Sequence, residues 1–249
     1  MDATRTREGF IINATRFLVA MTVLVAASGC KDAAEAPCLI QRPPLGGYTM
    51  KFTLQGAAPA GCEATLPGIF GDNWRMDMYA DRAVYMKSDF MLYPEDGGDP
   101  NHPVLGHGTL SEVPVDGICT IPDVTEMRSD TDPFGIGEPT LAYHAHDMKF
   151  LSGARYQGST FESVVDVTIG TCTASYDVQA LTPSQQGGTC ATDVDCDPFA
   201  DPLNGRPLGS GINSDYAVAC TKEQWVTDYL TGDPDVGICF FTKPFPGLK

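Results

Sequence analysis

The sequence predicts a mainly β protein: an antiparallel β-sandwich or barrel followed by a small disulfide-rich module with one short helix. Three observations lead there. Apolar and polar residues alternate with a period of two in several stretches between residues 48 and 180, as in strands that bury one face. Turn-forming clusters such as Asp96-Gly97-Gly98-Asp99-Pro100 and Asp130-Thr131-Asp132-Pro133 separate the stretches, and no long helical period runs through the chain. Four cysteines then crowd into the last 60 residues, where the alternation fades. The chain is expected to divide into residues 1–29, a signal peptide; 30–46, a tether; 47–183, the β domain; and 184–249, the cysteine-rich module.

The leader has the three parts of an export signal. Arg5, Arg7 and Arg16 against Asp2 and Glu8 give a weakly basic start, Phe17 to Ala27 is an apolar run, and Ser28-Gly29 are small. The run is about half of the roughly 20 residues that a membrane-spanning helix needs. Ala27-Ser28-Gly29-Cys30 resembles the bacterial lipobox, whose cysteine is acylated and becomes the mature N-terminus. The resemblance implies several acyl chains on Cys30 and hence stable attachment, since each buried CH₂ adds about 0.8 kcal/mol. It also implies an exported envelope lipoprotein, expected at the outer membrane on its periplasmic or surface face.

After the anchor, Ala33-Ala34-Glu35-Ala36-Pro37 and Pro43-Pro44-Leu45-Gly46 read as a spacer. Cys38 within it is expected to staple the spacer back onto the body. Strand alternation then begins: Tyr48, Met50, Phe52 and Leu54 share one face, as do Trp74, Met76 and Met78. Ala83 to Leu92 fits a strand or a short helix. Leu141 to Phe150 alternates, Phe161, Val165, Val167 and Ile169 share a face, and Tyr176, Val178 and Ala180 continue the pattern. In the tail, Cys190-Ala191-Thr192-Asp193-Val194-Asp195-Cys196 resembles the Cys-x-x-Asp-x-Asp-Cys loops of small disulfide modules in bacterial surface proteins and Dickkopf-like domains. A short helix is expected over 222–230, with Thr221 and Gln224 as a capping box, Gly232 beyond its end, and Trp225 and Tyr229 on one face.

Cysteine usage fits an oxidising compartment. Beyond Cys30 stand Cys38, Cys62, Cys119, Cys172, Cys190, Cys196, Cys220 and Cys239, an even set that reads as up to four disulfides. There is no Cys-x-x-Cys pair to suggest structural zinc, and the connectivity is open. The net charge of −16 falls to about −17 without residues 1–29, which carry three basic and two acidic side chains. Such a chain lacks the clustered Lys and Arg that nucleic acid requires, and an acidic surface also resists lying flat on anionic lipid.

Four places carry possible chemistry. On a regular strand, His144, His146 and Met148 point the same way, and imidazole with thioether suits copper or zinc. The pattern is similar to the His-x-His of cupins, although the glutamate that family needs is replaced by Asp147, Met148, Lys149 and Phe150. It is also similar to the His-x-Met pairs of periplasmic copper carriers. His102, His107, Met76, Met78, Met86 and Met91 are possible further donors. A second place is Asp193, Asp195, Asp197 and Asp201, a calcium candidate; it fails the EF-hand pattern, with Pro198 and Asn204 where Gly and Glu are required. Third, catalytic motifs are wanting: there is no Gly-x-Ser-x-Gly, no His-Glu-x-x-His, and Gly209-Ser210-Gly211 reads as a turn. Fourth, Tyr79, Tyr85, Phe90 and Tyr93 are spaced so that some face outward, where rings bind sugar or protein. The expected function is therefore partner binding, protein or glycan, or a structural role in the envelope, without catalysis or cofactor. The rivals are a periplasmic copper or zinc protein using His144, His146 and Met148, and a hydrolase of envelope polymers with paired carboxylates.

Overall fold

The computed structural model describes residues 36–41, 47–91, 104–129, 140–153, 155–183, 189–204 and 209–249. Residues 1–35, which include the expected signal peptide and Cys30, lie outside the described residues, as do His102, Tyr93 and the turn clusters at 96–100 and 130–133.

Where the sequence alternates, the chain is extended. The strands are β1 (Tyr48–Leu54), β2 (Ile69–Met78), β3 (Ala83–Ser88), β4 (Gly106–Thr109), β5 (Ile118–Asp123), β6 (Met127–Ser129), β7 (Leu141–Leu151), β8 (Thr160–Ile169) and β9 (Cys172–Leu181). They form one antiparallel sheet in the order β4-β3-β2-β1-β9-β8-β7-β5, with β6 beside β7. The region around Ala83 to Leu92 is both things its sequence allowed, β3 followed by a single helical turn at Asp89–Met91.

The sheet curls until its two ends nearly meet. Ser111 N–H donates to Thr120 O, and Thr125 N–H donates to His107 O (2.9 and 3.0 Å), so β4 approaches the β5–β6 side. Glycine makes that approach possible. A Cβ on Gly108 would stand 2.5 Å from Ile121 and 2.8 Å from the Asp123 carbonyl, and one on Gly106 would be 2.8 Å from Met127. The result is a nearly closed barrel.

Its interior is filled. Phe52 stacks on Phe70 with ring centroids 4.3 Å apart, and Trp74 and Tyr143 lie at 5.5 Å. Phe150 and Phe161 close the far side at 4.9 Å. The outward positions carry Lys51, Arg75, Lys149, Glu162 and Asp177, a polar surface unlike the apolar band of a membrane barrel.

A second sheet, β10 (Thr189–Cys190), β12 (Gly237–Phe241) and β11 (Val218–Thr221), builds the tail. Its apolar cluster contains Trp225, Ile238 and Phe240, and it also takes in Leu151 and Leu181 from β7 and β9. Ala36–Lys249 is thus one compact unit with two sheets. The helix of the tail, α1 (Gln224–Val226), begins later than the capping pattern implies and widens into a π-helical turn at Thr227–Thr231. Thr221 belongs to β11 instead, with its backbone opposite Ile238. Gly232 does end the helix, at φ 67°. Trp225 and Leu230 lie on the outer face of β2 over Gly71, whose missing side chain leaves room for them. Lys51 of β1 is held there by Glu223 at 3.1 Å, its ammonium over the Trp225 ring.

The eight cysteines among the described residues are all paired: Cys38–Cys119, Cys62–Cys172, Cys190–Cys220 and Cys196–Cys239. The first ties the segment before β1 to β5, and Cys38 N–H also donates to Glu112 O at 3.1 Å.

Candidate functional site

The outer face of β7 carries the two histidines singled out by sequence. His144 and His146 both face outward, their ring centroids 5.8 Å apart. Met148 does not join them. At Asp147 the backbone enters the left-handed region (φ 52°), and the register against β8 slips between His146 and Lys149. This is a β-bulge, and one extra residue turns the following side chains over. Met148 is therefore fully buried in the barrel core. The other proposed thioether donors go the same way: Met76, Met86 and Met91 are core residues and Met78 packs against them. In place of sulfur, aspartates surround the pair. Asp123 on β5 lies 2.9 Å from His144, Asp147 lies 3.0 Å from His146, and Asp166 on β8 sits between the rings.

His107 is engaged elsewhere. Its Nδ1 is 3.0 Å from Thr125 Oγ1, and its ring stacks at 5.7 Å on Tyr85. The aspartates of the tail serve its backbone: Asp195 accepts from the N–H groups of Ala191 and Thr192, and Asp193 accepts from Cys220 N–H. Ser210 is buried, donating to Cys196 O at 2.9 Å. Among the described residues, the one set of three close metal-ligand atoms is Cys190, Cys196 and Cys239, and these sulfurs are tied up in disulfides.

A groove of about 550 Å³ opens on the outer face of β2 and β3. Tyr79 and Tyr85 stand in it edge to face, centroids 5.3 Å apart, and Tyr79 is 56% exposed. Around them are Arg75, Asp77, Asp81, Lys87 and Leu105. Two of the four aromatic candidates thus meet on one surface. Phe90 instead packs half-buried against the core, and Tyr93 lies outside the described residues.

A third feature is invisible to sequence reading, because it looks like one more polar residue in a strand. Asp72 of β2 points into the barrel and is buried. Its Oδ2 accepts from Trp74 Nε1–H (2.9 Å) and Ser88 Oγ–H (2.6 Å), and its Oδ1 accepts from Asn73 N–H (2.7 Å). The buried Tyr143 hydroxyl faces Asp72 and Ser88 from just outside hydrogen-bond geometry. Burial outweighs the three donors and pushes the Asp72 carboxyl up from 3.8 to about 7. Asp89 is also raised, chiefly by burial, while Arg75 at 3.2 Å pulls it back. These two are not the open, facing pair that a glycoside hydrolase displays, since Asp72 is sealed among core side chains.

Comparison with protein-family models, with curated proteins and with solved structures yields no match for this chain.

Proposed function

We propose that this chain is an exported, membrane-anchored envelope lipoprotein that binds a saccharide partner without catalysis, using the groove on β2 and β3. The exposed Tyr79–Tyr85 pair carries the reading. Sugar rings pack their C–H faces on aromatic rings, and their hydroxyls take charged or amide partners. The groove offers the rings and charged partners, with carboxylates at Asp77 and Asp81 and cations at Arg75 and Lys87. Its volume suits a ligand of one or a few rings rather than a polymer's full length. Since the barrel interior is occupied by aromatic core, a ligand has the outside to bind. The lipobox-like Ala27-Ser28-Gly29-Cys30 supports the anchor, and the disulfides suit an oxidising compartment.

The detergent-solubilised full-length protein, applied to an array of envelope saccharides and to sedimented peptidoglycan, tests the site. Retention that falls about tenfold or more in Tyr79→Ala and Tyr85→Ala, with unchanged thermal unfolding, is expected. Equal retention by both variants would refute the groove, and capture of a protein alone would move the partner to another class. Replacing Cys30 with Ser tests the anchor; the protein should then leave the membrane fraction.

A further inference from the structure

We propose that the outer face of β7 is a binding site for a divalent transition-metal ion of the zinc class, with His144 Nδ1, His146 Nε2 and Asp166 Oδ2 as its protein ligands. The inference is independent of the saccharide groove. It rests on how the nitrogens and oxygens of this cluster are already divided between two tasks.

Each imidazole has one nitrogen held by an aspartate. His144 Nε2 is 2.9 Å from Asp123 Oδ1, and His146 Nδ1 is 3.0 Å from Asp147 Oδ2. A carboxylate that accepts a hydrogen bond from one ring N–H leaves the lone pair on the other nitrogen, which is how metal-ligating histidines are oriented. The two remaining nitrogens, His144 Nδ1 and His146 Nε2, turn toward the same atom. Asp166 Oδ2 lies 3.9 Å from the first and 3.8 Å from the second. Its other oxygen is taken, since Ser175 Oγ–H donates to Asp166 Oδ1 at 2.5 Å. So two ring nitrogens face one carboxylate oxygen, and hydrogen-bond partners hold the far sides of all three groups.

Sheet register builds this arrangement. Asp166 lies directly opposite His144 on one neighbour strand, and Asp123 lies opposite His146 on the other. The bulge that buries Met148 also swings Asp147 outward beside His146. The sequence pattern alone named a thioether donor; the folded strand supplies carboxylates instead, which moves the site's preference from soft Cu(I) toward zinc and its neighbours.

Distances of 3.8–3.9 Å are too long for hydrogen bonds but near the spacing of two ligands on one ion, which for zinc at 2.0–2.2 Å is roughly 3.4 Å. The ring nitrogens stand farther from each other than from Asp166, so binding must draw the rings together by side-chain rotation. Both rings are partly exposed and free to make that movement, with side chains 41% and 30% accessible. The Asp166 carboxylate, with Asp123 and Asp147 close by, gives the site a field that favours a cation. Three protein ligands leave a fourth position for water or a bound group.

Calorimetric titration of the full-length protein with Zn²⁺ tests this, accompanied by Co²⁺ absorption and histidine ¹⁵N spectra. One saturable ion per chain is expected, with visible Co²⁺ bands of a four- or five-coordinate ion and shifts of both His144 and His146 nitrogens. His144→Ala, His146→Ala and Asp166→Asn should each weaken binding by more than the roughly 10–100-fold that loss of an outer-shell partner costs. Asp123→Asn should fall within that smaller range, and Met148→Leu should change nothing. The histidine and aspartate replacements lie on the surface and Met148→Leu keeps the core volume, so circular dichroism should be unaltered. Absence of saturable binding would overturn the proposal, as would binding that survives the His144→Ala/His146→Ala double variant. In either case the histidines are ordinary hydrogen-bonded groups on an acidic surface.

Discussion

Asp72 should set the pH dependence of this protein's stability. In the unfolded chain its carboxyl loses its proton near 3.8, and in the folded barrel it does so near pH 7. Between those values the native state binds the extra proton, so stability falls as pH rises through that window and levels off on either side. The shift is about three pH units, at about 1.4 kcal/mol each, so the loss between pH 4 and 8 is about 4 kcal/mol. Asp72→Asn removes the titration. It also places an amide N–H₂ against either Asn73 N–H or the Trp74 and Ser88 donors, a mismatch of about 1–3 kcal/mol at every pH. The two stability curves should therefore cross. The variant should be the weaker protein at pH 4 and the stronger at pH 8, with the crossing at about pH 4.5–6. Urea unfolding under non-reducing conditions at half-unit pH steps reads this directly. Asp89, also raised by burial, slopes the same way in both proteins, so the difference between the curves reports Asp72 together with its charge coupling to Asp89. Parallel curves would show that the carboxyl is ionised in the native state throughout, and the argument from burial would fail.

Three other perturbations probe the frame. Cys62→Ala with Cys172→Ala opens a bridge spanning 110 residues and should cost about 2–5 kcal/mol in thermal or urea unfolding. At the barrel seam, Gly108→Ala puts a methyl 2.5 Å from Ile121 and 2.8 Å from a backbone oxygen that cannot retreat, so a loss of about 1–3 kcal/mol is expected from the same assay. Trp225→Ala strips the cover from the outer face of β2 and should cost about 3–5 kcal/mol, leaving Trp74 as the sole indole reporter of the core.

Much of the barrel was legible because β1, β2, β8 and β9 each bury one face, and period-two alternation records that directly. β4 was not, since Gly106-His107-Gly108 replaces its inward side chains with hydrogens so that the seam can close. β6, β10 and β11 are three, two and four residues long, too short to show a period. The site was half legible. The histidine pair could be read, but its partners Asp123 and Asp166 come from neighbouring strands 21 and 22 residues away, and only register brings them in. The loss of Met148 did leave a trace. Leu141, Tyr143 and Ala145 keep step, and then Met148 and Phe150 resume one residue out of phase, a slip that marks a bulge. Asp147, at the slip, is one of the few non-glycine residues that accept a left-handed backbone.

The interlocked bridges also change what this protein is as a mechanical object. Pulled between Cys38 and Cys239, an uncrosslinked chain would pay out 201 residues, about 720 Å of contour at roughly 3.6 Å each. With its bridges closed, the shortest covalent route runs from Cys38 to Cys62, across to Cys172, on to Cys190 and Cys196, and across to Cys239. That route holds about 48 residues, or roughly 170 Å. A protein tethered at one end and gripped by a partner at the other would thus act as a short leash under load, and reducing it would lengthen the leash about fourfold.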